Sequence, residues 1–353
     1  MPLLASVTSS NNKISASFPH GLVAVFVGGT SGVGEYTVKA FAKYSINSRV
    51  YIVGRSQESA DRIIQECSHV SSGSSFQFIQ ADVSALRGVD SVCDELKNKE
   101  TAINLLFLSQ GSMGFNKKSL DGLPLAASLA THSRTRFIAN LLPLIQQADT
   151  LRRVVSVGAA TVEGPVDMSK FFGEGFPLTK WRDQLSSIQT LLLGEFSRLA
   201  PTVSFIHSLP GIVKGGINRD AEGFSLKLII LISRYLFEPF LQVPPDECGE
   251  KHIFLATSAL FKPAQSSVED AGVLVPGGEG AMIGTDGETG SGAYSIDHHL
   301  RPLPAKAVEM VAQLRSNGTQ SSIWEYVSKD FKRLTGTGLP ETAKGSAELK
   351  SYV

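Results

Sequence analysis

An α/β fold is what the sequence predicts: a doubly wound parallel sheet in a single domain with a C-terminal extension. Three observations predict it. Short continuous apolar runs alternate with segments of helical spacing over most of the chain, which is how strands buried on both faces of a parallel sheet read. A glycine cluster stands between the first apolar run and the first helical segment. Hydrophobic residues make up 42% of the 353 residues and charged residues only 19%, so the chain can bury a large core and is not disordered as a whole.

In order, the first 20 residues read as a flexible Ser/Asn-rich arm. Leu22–Val27 is a continuous apolar strand, and Glu35–Tyr44 has helical spacing. Arg49–Val53 is a second strand, Ser59–Cys67 a helix, Ser75–Gln80 a third strand and Val89–Lys99 a helix. Ile103–Leu108 is a fourth strand, followed by a long helix over Pro124–Gln147. Arg153–Val157 and Val203–Ser208 are the fifth and sixth strands, with a helix over Gln184–Leu199 between them. Strictly alternating strands and helices place helices on both faces of a parallel sheet. Beyond Pro210 the alternation weakens. Phe224–Phe240 is strongly apolar, and Asp246–Leu260 is a helix with Asp246 as N-cap. Lys262–Ser291 is a Gly/Pro/Ser-rich loop, Ala293–Ile296 a seventh, edge strand, and Ala305–Leu314 and Ile323–Leu334 are helices. A polar tail after Gly336 closes the chain. The expected division is an arm over 1–20, a nucleotide-binding domain over 21–300 with an apolar lid at 215–245, C-terminal helices over 301–335 and a mobile tail over 336–353.

Composition excludes several classes of function. The 33 Lys+Arg balance 33 Asp+Glu, a formal net charge of +0, whereas a nucleic-acid binder needs an excess of cations against phosphates. Cys67, Cys93 and Cys248 are odd in number, far apart and without a CxxC, so neither a disulfide framework nor a metal site is suggested. A reducing compartment, the cytoplasm, is the expectation. The N-terminus lacks the basic start and apolar core of a signal peptide. Phe224–Leu241 is interrupted by Lys227, Arg234 and Glu238, which argues against a membrane span.

The strongest signal is Val27-Gly28-Gly29-Thr30-Ser31-Gly32-Val33-Gly34, between the first strand and the first helix. Glycine permits positive φ in a tight turn and close approach of a pyrophosphate. It also lets helix and strand pack closely, while the helix N-terminus offers free N–H groups. In this βαβ setting the octet points to a dinucleotide. The residues Gly28, Thr30, Ser31, Gly32, Val33 and Gly34 are its candidate contacts. Arg55 lies 21 residues past Gly34, where an NAD site carries an acid; an Arg there suits a 2′-phosphate, hence NADP(H). Asp82 and Val83 end the third strand, where they can hold the adenine.

On these motifs, the chain from Leu22 to about Leu260 resembles a short-chain dehydrogenase/reductase, a family with a Rossmann-type fold. Its octet is similar to the family's Thr-Gly-x-x-x-Gly-x-Gly, with Val27 in place of Thr. Asp82 matches the adenine-contacting Asp, and Pro210-Gly211 matches the Pro-Gly motif after the sixth strand. Asn104–Gly111, Asn140–Leu144 and Gly284–Glu288 resemble a divergent branch, common in filamentous fungi and often encoded among natural-product pathways. The resemblance implies an NADP-dependent oxidoreductase acting on a hydrophobic small molecule, in secondary metabolism.

That family's chemistry uses a Tyr and a Lys one helical turn apart, with a Ser and an Asn; the Tyr carries the proton as hydride moves. Here none of Tyr36, Tyr44, Tyr51, Tyr235, Tyr294, Tyr326 and Tyr352 is followed four residues later by Lys. By the resemblance, Trp181 falls near the Tyr position, Leu185 near the Lys, Ala159 near the Ser, and Ala130 or Thr131 near the Asn. Leu108-Ser109-Gln110-Gly111 replaces Asn-Asn-Ala-Gly. Three readings therefore stay open: an NADPH-dependent reductase with another proton donor, a non-redox isomerase or cyclase on the same scaffold, and a nucleotide-sensing binding protein. Candidate catalytic replacements are His132, near the lost Asn and able to titrate near neutrality, Asp183 at the start of the Tyr/Lys helix, and His207 on the sixth strand. Each has a bland alternative: a packed or surface His132, an Asp183 that only favours the helix dipole, a core His207 bonded to backbone. Ser109, Gln110 and Gly111 stand at the carboxyl end of the fourth strand, where α/β sheets place ligands. The apolar stretch after Pro-Gly suits a lid over a hydrophobic substrate, a buried core helix or a contact with a second copy of the chain.

Overall fold

A computed structural model describes residues 4–18, 21–220, 242–266, 271–275 and 280–341. The strands are β1 (Val23–Val27), β2 (Arg49–Gly54), β3 (Ser75–Gln80), β4 (Leu105–Leu108), β5 (Arg153–Val157), β6 (Ser204–Ser208) and β7 (Ala293–Ile296). They form one sheet in the order β3-β2-β1-β4-β5-β6-β7, with every pairing parallel. Successive side chains of a strand point to opposite faces, and the core divides accordingly. Val23, Val25, Val27, Leu106 and Leu108 pack on one face, while Ala24, Phe26, Leu105 and Phe107 pack on the other.

The second face is covered by α3 (Gly32–Tyr44), α4 (Gln57–Val70) and α9 (Pro245–Thr257). The first is covered by α5 (Leu86–Lys99), α7 (Arg134–Gln146), α8 (Leu178–Leu199), α10 (Ala305–Ser316) and α11 (Thr319–Thr335). The C-terminal helices share this core, for Trp324 of α11 lies edge-on to Phe196 of α8 with ring centroids 5.0 Å apart. The chain order reverses between β1 and β4, which opens a crevice at the carboxyl ends of the strands, the usual ligand position in such sheets.

Several expectations are corrected. Residues 4–18 are not a free arm: α1 (Leu4–Asn11) docks on α9, and Val7, Ile14 of α2 (Ile14–Ser17) and Phe18 are buried in the core of the second face. Asn11 donates to the Glu250 carbonyl at 3.0 Å and to its carboxylate at 2.7 Å. Helices this short carry little stability of their own, and the tertiary contact supplies it. The long helix expected over Pro124–Gln147 is broken into a short turn α6 (Leu125–Ala127), a π-helical turn over Ser128–Ser133, and α7. The Gln184–Leu199 helix starts earlier, at Leu178, with Pro177 just ahead of its first turn. Asp246 sits in the first turn of α9 rather than at its N-cap, which is Pro244. The apolar lid segment Phe224–Leu241 and the tail beyond 341 lie outside the described residues. The three cysteines are free and buried, and among the described residues no helix is long and apolar enough to cross a membrane.

Two predictions follow from this packing. Replacing Asn11 with Ala removes two hydrogen bonds and leaves Glu250 partly unmatched, so urea unfolding should show a loss of about 1–3 kcal/mol; a free arm would show none. His252 is fully buried on α9 beside Phe107, and burial pushes its pKa from an ordinary 6.5 down to about 4. The unfolded chain binds this proton below about 6.5 and the folded chain refuses it until about 4, so the residue's share of stability is lost as pH falls through that window. The difference in unfolding free energy between wild type and His252→Asn should therefore fall by about 1.4 kcal/mol per pH unit on acidification.

Candidate active site

The crevice holds a cavity of about 440 Å³ that begins at the glycine turn. Gly28 ends β1 with φ +79°, and a Cβ there would stand 2.7 Å from the Gln110 backbone nitrogen. At Gly34 a Cβ would meet the Gly28 carbonyl at 2.4 Å and Ser109 Oγ at 2.5 Å. The glycines therefore let α3 press against the ends of β1 and β4. Ser31, at the N-cap of α3, makes no capping bond, so the helix's leading N–H groups are free for an anion.

Gly28, Thr30, Ser31, Gly32, Val33, Arg55, Asp82, Val83, Ser109, Gln110, Gly111, Pro210 and Gly211 all line this one cavity. Gly34 stands behind its wall, in the helix-to-strand contact. Arg219 also lines the cavity, and its guanidinium lies against Gly216 and near Ser31. Two cations and a helix N-terminus thus surround the part of the cavity nearest the glycine turn. At the other end stand Met113, Leu129, Leu178, Trp181 and Leu185, an apolar wall. Trp181 and Leu185, one helical turn apart on α8, both line the cavity.

The proposed catalytic residues are not brought together. His132 is outside the cavity: its Nε2 lies 3.0 Å from Asp330 Oδ2 and its ring packs among Phe171, Phe172 and Phe331. It faces α11, a helix distant in sequence, and ties it down. Asp183 also misses the cavity, because its carboxylate accepts from Arg182 at 2.9 Å and its Cβ lies toward Gly164. Arg182, not Asp183, reaches the lining. His207 is fully buried in β6, directly behind Gly158. Its Nδ1 lies 2.9 Å from Thr190 Oγ1, and Thr190 donates to Glu163 Oε1 at 2.7 Å. Burial, with the positive charge of Arg134 nearby, pushes the His207 pKa down to about 3. Burial raises the Glu163 carboxyl, which also accepts from Ser295 at 2.7 Å.

Three residues of the site escape sequence reasoning. Arg134 is buried at the start of α7 and lines the cavity. It donates to Gln110 O at 2.6 Å, to Ser156 Oγ at 2.9 Å and to the Val157 carbonyl. Loss of hydration pushes its pKa down to about 9. The available signal was a pair of arginines, Arg134 and Arg136, at the head of a helix that is mainly apolar further on. Gln189 lines the cavity, and Glu163 lies in a loop; neither carries a motif.

The family profile described as short chain dehydrogenase matches residues 22–122. An oxidoreductase of Emericella nidulans is 32% identical over 332 residues, covering 92% of this chain and 97% of that protein. An oxidoreductase of Emericella variicolor is 30% identical, covering 96% and 100%. A short-chain dehydrogenase/reductase of Stachybotrys chartarum is 28% identical, covering 88% and 92%. Among solved structures, the Pseudomonas aeruginosa RhlG/NADP active-site complex superposes with a TM-score of 0.50 at 18% identity, over 67% of this chain and 89% of that one; it shares the fold. With the profile on residues 22–122 and these relatives along nearly the whole length, the chain belongs to the short-chain dehydrogenase/reductase family.

Proposed function

We propose that this oxidoreductase-family protein is an NADP(H)-dependent reductase of a hydrophobic carbonyl compound, working in secondary metabolism with a proton donor other than Tyr and Lys. One observation carries the reading: a single cavity runs from Arg55 and Asp82, past the glycine turn, to the apolar wall of Met113, Leu129, Leu178, Trp181 and Leu185. The residues present fit the cofactor. The uncapped N-terminus of α3 would take the pyrophosphate, and Asp82 and Val83 would flank the adenine. Arg55 would take the 2′-phosphate through charge-assisted hydrogen bonds. When bound, the reduced nicotinamide supplies hydride. The chain orients the substrate against it with apolar surface, which excludes water, while Arg134 lends a positive field where negative charge develops on oxygen. The relatives from Emericella and Stachybotrys, which are oxidoreductases by name, support this reading.

A non-redox isomerase or cyclase is the second reading, favoured by the apolar Trp181–Leu185 pair where the family places its proton carriers. The two part on one assay. With hydrophobic ketones and aldehydes offered to the full chain, NADPH absorbance should fall in step with alcohol formation. Product formed without any change in absorbance would sink the reductase reading. For the cofactor, Arg55→Ala should weaken NADPH binding by about 10- to 100-fold, as befits one lost charge-assisted phosphate contact. Binding of NADH should hardly move, and equal loss for both nucleotides would remove Arg55 from the 2′-phosphate.

A further inference from the structure

One exposed cation on the cavity wall has no task inside the protein. Arg219 lines the cavity, and among the described residues its guanidinium makes no hydrogen bond and no ion pair. A lone exposed arginine is ordinarily solvated surface. Three features of its surroundings set this one apart.

The first is the segment that carries it. Residues 212–220 run from beyond β6 across the glycine turn to the loop after β4. On one bank, the Tyr36 hydroxyl of α3 donates to the Lys214 carbonyl at 2.9 Å, and a Cβ on Gly32 would stand 3.1 Å from the Gly215 Cα. On the other bank, the Met113 amide donates to the Ile217 carbonyl at 3.0 Å. Ile217–Asp220 form a 3₁₀ turn, and the Arg219 amide donates to the Gly216 carbonyl at 3.1 Å. The side chain is thereby folded back toward α3. A Cβ on Gly216 would lie 2.9 Å from Arg219 Cζ and 3.2 Å from Ser31 Oγ, so guanidinium and hydroxyl flank the same residue.

The second is the place it is folded toward. Ser31 is the N-cap of α3 and makes no capping bond, so the helix presents free N–H groups and its positive end, a setting for phosphate. The third is the neighbouring carboxylate, which is spoken for. Asp220 accepts from Ser112 Oγ at 3.0 Å and from Lys117 Nζ at 3.2 Å. The anion of the Arg219–Asp220 pair is thus bound to the loop after β4, and the cation is left to the cavity.

We propose that Arg219 grips the diphosphate of the dinucleotide and clamps it against the N-terminus of α3. A planar guanidinium meets a phosphate through two parallel N–H···O bonds. Arg55, just beyond β2, serves the 2′-phosphate, so two cations at two places on one wall take two separate phosphate groups. The inference rests on the cofactor reading above and deepens it.

The test is binding to the full chain, measured by calorimetry. Arg219→Ala should weaken NADPH and NADH by the same factor, about 10- to 100-fold, because both carry the diphosphate. The preference for NADPH over NADH should therefore survive in Arg219→Ala and vanish in Arg55→Ala. Adenosine 2′-monophosphate, which has the 2′-phosphate and no diphosphate, should bind Arg219→Ala as well as it binds wild type. In the double variant the two losses for NADPH should multiply, as they do for separate contacts. Arg219→Lys keeps the charge without the fork and should recover part of the affinity. Without nucleotide, Arg219→Ala should unfold at the wild-type temperature, which separates a lost contact from a lost fold. Unchanged Kd values in Arg219→Ala, or a loss confined to NADPH, overturn the clamp alone. A wild-type chain that binds neither nucleotide overturns the clamp and the cofactor reading together. The expected losses in a chain that reduces no ketone keep the clamp and sink only the reductase reading.

Discussion

The site is organised by a buried cation, Arg134, that among the described residues has no carboxylate beside it. The Arg134 guanidinium bridges the carbonyl of Gln110 beyond β4 and the carbonyl of Val157 with the hydroxyl of Ser156 on β5. Removing such a charge from water costs several kcal/mol even after relaxation. Three donated hydrogen bonds offset part of it, and the lowered pKa records the remainder. The staple holds the ends of two central strands at a fixed spacing where the cavity floor must be. Its positive charge also disfavours a second cation nearby, so His207 behind the same floor is held neutral. The π-helical turn over Ser128–Ser133 directly precedes Arg134. The first turn of α7 then buries Arg134, Thr135 and Arg136, and the turns after it bury apolar side chains.

From this floor the two halves of the cavity diverge in character. Toward β2 and β3 the walls are polar backbone, a helix N-terminus and Arg55, all features that recognise anionic groups by geometry local to one βαβ unit. Toward α8 the walls are Trp181, Leu185 and Leu129, which exclude water and strengthen any electrostatic interaction left inside.

The legibility of these features follows the distance over which they are built. The strand runs, the glycine turn and the Arg55 position arise from neighbours within about thirty residues, so the periodicity and spacing of the chain disclose them. His132 and Asp183 were chosen because their residue types suit proton transfer and because they sit near the expected helix positions. Their side chains are claimed instead by Asp330 and Arg182, partners whose geometry no spacing rule gives. The short α1 and α2 were equally hidden, since eight- and four-residue helices carry weak amphipathic patterns and are stabilised by what they touch, for α1 the Glu250 region of α9.

By itself, the sequence determined the parallel sheet, the glycine turn after its first strand and the family resemblance, because each is written in residue type and local spacing. Only the tertiary structure decided which polar side chains gather behind the cavity wall. Gly158 from β5, Gln189 and Thr190 from α8, His207 from β6 and Glu163 from a loop become one cluster through strand register and helix packing. Parallel pairing aligns Ser156 with His207 and Val157 with Ser208, so residues some fifty positions apart become neighbours. The physical reason is that hydrophobic patterning tells a strand which face is buried but not which polar atoms of other elements will be left unmatched beside it.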